Sequence, residues 1–176
     1  MLLQELTTLP TLPWQIIALR LVGSVILCGL IGIEREANGQ AAGLKTHIMI
    51  GLAACVYSLI AHEIIAENLH RSPLFTADNQ DDNVTVDPLR IVEAVTSGVA
   101  FLAAGMIVFT AGRVKGLTTG AGMWLAASVG LCCGLGLWLI AAAATVLSLL
   151  IMLVLSSLQA SVAREKDNRG DPDDRG

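Results

Sequence analysis

Long apolar runs separated by short polar segments dominate the sequence. The longest run extends from Gly116 to Ala163 and contains no Asp, Glu, Lys, Arg or His in about 48 residues. As one helix it would be about 72 Å long, whereas the hydrocarbon core of a bilayer is about 30 Å thick. The run therefore predicts two membrane-spanning helices with a tight reversal at Gly134-Leu135-Gly136, where glycine permits left-handed turn geometry.

Three further apolar runs precede this one, so the pattern predicts five transmembrane helices. The expected spans are 14–33, 48–65, 91–111, 117–133 and 137–158. Each is close to the length of about 20 residues that a bilayer crossing needs. We therefore expect an all-α, polytopic transmembrane bundle, with an extracytoplasmic segment at 1–13. The polar residues 159–176 are expected to form a disordered cytoplasmic tail.

The basic residues predict the orientation of this bundle. Eight of the eleven lie in segments on one side of the predicted spans, namely Arg35, Lys45, Arg113, Lys115, Arg164, Lys166, Arg169 and Arg175. Cytoplasmic loops of membrane proteins carry an excess of Lys and Arg. The N-terminus is therefore expected outside and the C-terminus in the cytoplasm.

The composition supports a membrane protein and excludes several other classes. The chain is 54% hydrophobic and 15% charged, with a mean hydropathy of +0.68 and a net charge of -4. No basic cluster could neutralise a nucleic-acid backbone. We expect no enzymatic activity, cofactor or metal site, because the sequence has no nucleophile–base pair and no metal-ligand spacing. The cysteines Cys28, Cys55, Cys132 and Cys133 lie in apolar segments and are expected to be packing residues.

Small residues recur at the spacing that lets membrane helices approach closely. In the fourth span they are Gly122, Ala126, Gly130 and Gly134, and the third span contains Gly98 and Gly105. Close packing of small residues drives much of helix association in lipid. These faces are expected to pack helices within one subunit; packing between subunits of a homo-oligomer is the alternative.

A charged group is predicted near the start of the third span. Asp87, Arg90 and Glu93 step by three residues and so lie near one helical face. Arg20 lies inside the first span, where an unpaired charge is costly. We expect Arg20 to join them in an ionic cluster. Alternatively, Asp87 only caps the helix that starts at Pro88, and Arg20 extends its charged end to the interface.

A second polar group lies where the first span ends and the second begins. It comprises Glu34, Arg35 and Glu36, followed by Lys45 and His47. As a functional motif it would mark the cytoplasmic face of the bundle. Alternatively, the three alternating charges form a solvated interface and His47 is an interfacial anchor.

Five segments of the sequence, in this order, resemble motifs of the MgtC/SapB family of bacterial inner-membrane proteins. They are Gly29-Leu30-Ile31-Gly32-Ile33-Glu34-Arg35-Glu36, Ala42-Gly43-Leu44-Lys45-Thr46-His47, Asp87-Pro88-Leu89-Arg90-Ile91, Ser97–Gly105, and Val114–Thr119 with Trp124–Ala127. The chain departs from the family pattern at Ala100 and Ala103, which replace typical glycines, and this is expected to loosen or shift the closest helix approach. Gly120 and Gly122 stand where Ala and Thr are common.

The resemblance implies a five-span domain connected with Mg²⁺ limitation, acid stress or survival inside host cells, in the bacterial inner membrane. It also implies functional importance for Asp87, and a membrane-protein partner such as the proton-driven ATP synthase. We expect no ACT-like domain after the membrane part. The leading hypothesis is a regulator of another membrane complex; the alternative is a small transporter or channel for Mg²⁺ or protons.

Overall fold

The computed structural model describes residues 10–71, 89–110 and 113–168 and shows a bundle of α-helices with one short β-hairpin. The helices are α1 (Trp14–Ala37), α2 (Leu44–Arg71), α3 (Leu89–Met106), α4 (Leu117–Leu135) and α5 (Trp138–Asn168). All five are long and apolar enough to cross a membrane. The prediction of an all-α transmembrane bundle of five helices is therefore confirmed, whereas the side that each terminus faces stays a prediction.

Helix ends follow from local sequence. Pro13, just before α1, accepts hydrogen bonds from the first turn of that helix, and α4 starts after Gly116, which has a φ of 88°. At the other end of α4, Gly136 adopts a φ of 78°; its own N–H donates to the Cys133 carbonyl, and the Leu137 N–H donates to the Cys132 carbonyl. Glycine allows this left-handed helix end at no steric cost, so the reversal lies where the sequence predicts it.

The third helix and the C-terminal segment differ from the prediction. Helix α3 ends at Met106, not near 111, because the chain turns into an antiparallel hairpin of β1 (Val108–Thr110) and β2 (Arg113–Lys115). The hairpin pairs Phe109 with Val114, and aromatic and β-branched residues suit strands. Helix α5 continues to Asn168, so residues 159–168 are helical although the sequence predicts a disordered tail.

Helix α4 is the centre of the bundle. It contacts each of the other four helices, and 61% of its spanning segment is buried, against 11–28% for the others. The outer surfaces carry exposed apolar side chains such as Trp14, Phe101 and Leu139. In a helix bundle without a lipid environment this would be unfavourable, whereas a bilayer solvates it. The chain is therefore a multi-pass membrane protein that contacts the lipid bilayer.

Small residues position the helices around α4. Ala126 is fully buried, and its carbonyl accepts a hydrogen bond from the Cys28 thiol at 3.4 Å. A Cβ added at Gly134 would lie 2.5 Å from the Cβ of Ser58, and one at Gly120 would lie 3.3 Å from Ala103. Ala103 of α3 thus faces a glycine of α4, and the small residue that permits this approach is Gly120.

Candidate functional site

The polar groups of the first helix connection come together at one end of the bundle, where α1 ends and α2 and α4 begin. We call this the Glu34 end, and the opposite end, where α1 begins, the Trp14 end. The Glu34 site is defined here as Glu34, Arg35 and His47, with their neighbours Gln40 and Thr119. Its members come from α1, the following loop, α2 and α4.

Glu34 and Arg35 lie next to each other with little exposure. The Arg35 Nε and Glu34 Oε2 atoms are 3.5 Å apart, and each side chain is 13% exposed. The Asn38 amide, one helical turn further, donates to the Glu34 backbone carbonyl at 3.0 Å and to its Oε1 at 2.8 Å. In the described part of the chain, Arg35 Nε and Glu34 Oε2 are buried and make no hydrogen bond. Such groups favour a polar ligand or water.

His47 is fully buried beside this pair. Its Nδ1 is 2.9 Å from the Gly43 carbonyl oxygen. A carbonyl only accepts, so Nδ1 is the protonated nitrogen and Nε2 is an acceptor when the ring is neutral. Nε2 has no hydrogen-bond partner among the described residues. The alternative in which His47 is an interfacial anchor would place its ring on the outside of the bundle, whereas the structure buries the ring between helices.

Gly122 of α4 lies next to both His47 and Arg35. A Cβ at this position would lie 3.1 Å from His47 Nε2 and 3.5 Å from Arg35 Nε. The sequence predicts Gly122 as a helix-packing residue, but what it contacts is this polar site. Nearby, the Thr119 hydroxyl donates to Gln40 Oε1 at 3.3 Å, which ties the loop to α4.

The two sequence segments that flank the loop form one structural unit. A Cβ at Gly32 would lie 2.7 Å from the Leu44 Cα, and one at Gly43 would lie 2.8 Å from Glu36 Oε2. Glu36 Oε2 accepts a hydrogen bond from the Leu44 N–H at 2.8 Å. A carboxylate bonded to the first N–H groups of a helix stabilises its N-terminus. Lys45, in contrast, is exposed.

Replacing Glu36 by alanine is expected to lower the free energy of unfolding by about 1 kcal/mol, because the first turn of α2 loses its capping acceptor. Thermal unfolding of the purified protein in detergent micelles measures this change. Glu36→Gln is the matched control, since the amide oxygen still accepts the Leu44 N–H. Equal losses in both variants would contradict the capping role.

At the Trp14 end, the structure gives Arg20 a partner that the sequence does not predict. Its Nη1 donates to the Gly134 carbonyl at 2.7 Å, at the C-terminal end of α4. Arg90 and Glu93 are exposed on α3. Asp87 lies outside the described residues, so the predicted cluster of all four residues stays a prediction. A cation bound to a helix C-terminus is favourable, because that end carries partial negative charge.

The predicted packing residues of α3 and α4 behave differently. Gly130 and Gly134 face α2 inside the bundle, whereas a Cβ at Gly98 or Gly105 would meet nothing within 4 Å in the described structure. Packing within one subunit is therefore not observed at the two α3 glycines. Packing of this face against another subunit stays a prediction.

Sequence reasoning did not identify Asn38 and Gln40. Asn38 follows Glu34 by four residues, a spacing that places two side chains on one helical face, so this signal was available. Gln40 contacts a residue 79 positions away, and no local pattern predicts such a contact. Among the described residues, no three His, Cys, Asp or Glu side chains form a group that could hold a metal ion.

Comparison with known proteins agrees with the motifs. YhiD of Escherichia coli (strain K12), named as a candidate magnesium transporter, is 34% identical over 140 residues, covering 80% of this chain and 60% of YhiD. Protein MgtC of Brucella abortus (strain 2308) is 32% identical over 150 residues, covering 85% of this chain and 56% of that protein. Protein SapB of Bacillus subtilis (strain 168) is 34% identical over 124 residues, covering 68% of this chain and 49% of SapB.

The chain thus spans between 49% and 60% of the length of these three relatives. No solved structure matches it. The family model described as "MgtC family" matches residues 21–161. This range includes the Glu34 site and Gly134, the partner of Arg20. It also includes the complete spanning segments of α2, α3, α4 and α5. The resemblance predicted from the motifs is confirmed, and the chain belongs to the MgtC family.

Proposed function

We propose that this protein supports adaptation to Mg²⁺ limitation or acid stress in the bacterial inner membrane by regulating another membrane complex. The family resemblance makes the proton-driven ATP synthase the leading partner. In this proposal the protein is not an enzyme and carries no ion itself. Its contact surfaces are the lipid-facing helices and the polar groups at the two ends of the bundle.

The observation that carries this proposal is the closed centre of the bundle. Helix α4 contains no Asp, Glu, Lys, Arg or His along its length, and Gly130 brings the backbone of α2 into direct contact at Gly51. An ion pathway through a membrane protein needs charged or polar groups lining a hydrated route. The polar groups of the Glu34 site and Arg20 lie at opposite ends, with this close contact of α2 and α4 between them.

A transporter or channel for Mg²⁺ or protons is the second candidate. The name of the E. coli relative favours it, as do the buried, unpartnered polar atoms of the Glu34 site. This candidate requires the α2–α4 contact to open during a transport cycle. Regulation needs no such opening, because the partner binds the outer surface.

We expect proteoliposomes that contain the purified protein to show no Mg²⁺ or proton flux above that of empty vesicles. A fluorescent Mg²⁺ indicator and a pH indicator inside the vesicles measure the two fluxes. Asp87→Asn is the paired variant and is expected to match the wild type. Circular dichroism on the same vesicles verifies that the helices are folded.

Flux that exceeds the empty vesicles and collapses in Asp87→Asn would overturn the regulator proposal and place Asp87 in an ion pathway. Absence of flux from folded protein would direct the search to membrane complexes that co-purify with the chain. A pull-down then tests the named partner directly: purified ATP synthase is applied to resin that carries this protein and to resin without it.

A further inference from the structure

A cleft of about 410 Å³ opens between α1, α4 and α5 at the Glu34 end. Its polar side includes Glu34, Arg35 and Thr118, whereas Ile151, Met152 and Leu155 of α5 form its apolar side. A volume of this size is within the range of ligand-binding sites in proteins, about 300–1,000 Å³.

The two sides of the cleft match the layers of a bilayer. The polar side chains lie where α1 ends and α4 begins, which is the headgroup level for helices that span the membrane. The apolar side chains lie in the spanning part of α5, Trp138–Leu155, and Ile151 and Leu155 are about half exposed. A ligand that fits both sides has a polar head and an apolar chain.

Arg35 indicates the chemistry of the head. In the described structure its Nε is buried and makes no hydrogen bond, and its contact with Glu34 is a 3.5 Å ion pair. A guanidinium has five N–H donors in a planar fork, and a phosphate group supplies acceptor oxygens that match this geometry. A phosphodiester in the cleft would therefore accept from the Nε–H donor that the described residues leave unpaired.

Glu34 restricts the choice of phosphate. Its carboxylate lies beside Arg35, so the site presents one negative and one positive charge. A purely anionic head would be repelled by the carboxylate, whereas a head that adds a primary ammonium to the phosphate complements both charges. We propose that the cleft binds a phosphatidylethanolamine molecule, with the phosphate on Arg35, the ammonium on Glu34 and an acyl chain along Ile151, Met152 and Leu155. This proposal holds whether or not the protein carries ions.

Native mass spectrometry of the full chain in detergent tests the proposal with added phosphatidylethanolamine. The wild type is expected to retain the lipid, and Arg35→Gln to bind it at least tenfold more weakly. Lys45→Gln is the matched control, because Lys45 is an exposed cation at the same end of α2 and does not line the cleft. Equal binding by the two variants would overturn the assignment.

A second variant tests the same cleft without removing the charge of Arg35, whose loss could itself disturb folding. Leu155→Trp narrows the apolar side from an exposed position, so the bundle is expected to fold while lipid binding falls at least tenfold. Phosphatidylglycerol that binds the wild type as tightly as phosphatidylethanolamine would overturn the zwitterionic site. Inorganic phosphate that displaces the lipid at equal concentration would assign the site to free phosphate and overturn the lipid proposal.

Discussion

Gly130→Ala is expected to lower the free energy of unfolding by about 3 kcal/mol. A Cβ at this position would overlap the Gly51 carbonyl oxygen and lie 2.8 Å from the Gly51 Cα. Both atoms belong to the backbone of α2, so no side-chain rotation relieves the overlap. The helices must separate, and their separation removes packing around the most buried helix of the bundle.

Unfolding of the purified protein by sodium dodecyl sulfate in mixed micelles, followed by circular dichroism, measures this loss. Gly98→Ala is the matched control, because it adds the same methyl group to another spanning helix where nothing lies within 4 Å. Its unfolding free energy is expected to stay within about 0.5 kcal/mol of the wild type. Similar losses in both variants would show that the α2–α4 contact does not limit stability.

Arg20→Met is expected to lower the free energy of unfolding by about 2 kcal/mol. The Gly134 carbonyl loses its donor at the end of α4, and an unsatisfied buried acceptor costs about 1–3 kcal/mol. In the apolar part of a membrane, water does not replace the donor. The favourable interaction of the guanidinium with the C-terminal end of the α4 dipole is lost as well.

Two measurements separate this role from a general effect of removing charge. Amide hydrogen exchange is expected to accelerate at the reversal between α4 and α5, near Gly136, before it changes elsewhere. Arg90→Met is the control variant, since Arg90 is exposed on α3. If Arg90→Met destabilised the protein as much as Arg20→Met, the hydrogen bond to Gly134 would not be the cause.

The C-terminal end of the third helix is a place where the prediction from sequence was wrong. Residues Ile107–Thr110 are apolar enough to continue a span, and hydropathy alone assigns them to one. The structure instead pairs Val108–Thr110 with Arg113–Lys115. Hydropathy measures only the transfer of side chains from water to lipid. A short segment of β-branched and aromatic residues therefore has the same hydropathy whether it forms a helix or a strand. The backbone partner in β2 decides between them.

The candidate sites show a similar division. The sequence indicates that Glu34, Arg35 and His47 are unusual at a membrane boundary, and the structure brings them together within one site. That Gly122 lies beneath Arg35 and His47 requires a contact across more than 70 positions of the chain, which no local spacing encodes. Likewise, the cost of a charge in the membrane identifies Arg20, while the position of α4 identifies its partner.

The sequence by itself determined the membrane location, the number of spans, the reversal at Gly136 and the family, because apolar length, glycine geometry and ordered motifs are local properties. The tertiary structure alone decided which small residues face inward. Gly130 and Gly98 both belong to small-residue faces of apolar helices, yet one contacts the Gly51 backbone and the other contacts nothing within 4 Å. Helical periodicity defines a face, but only the arrangement of neighbouring helices determines what that face meets.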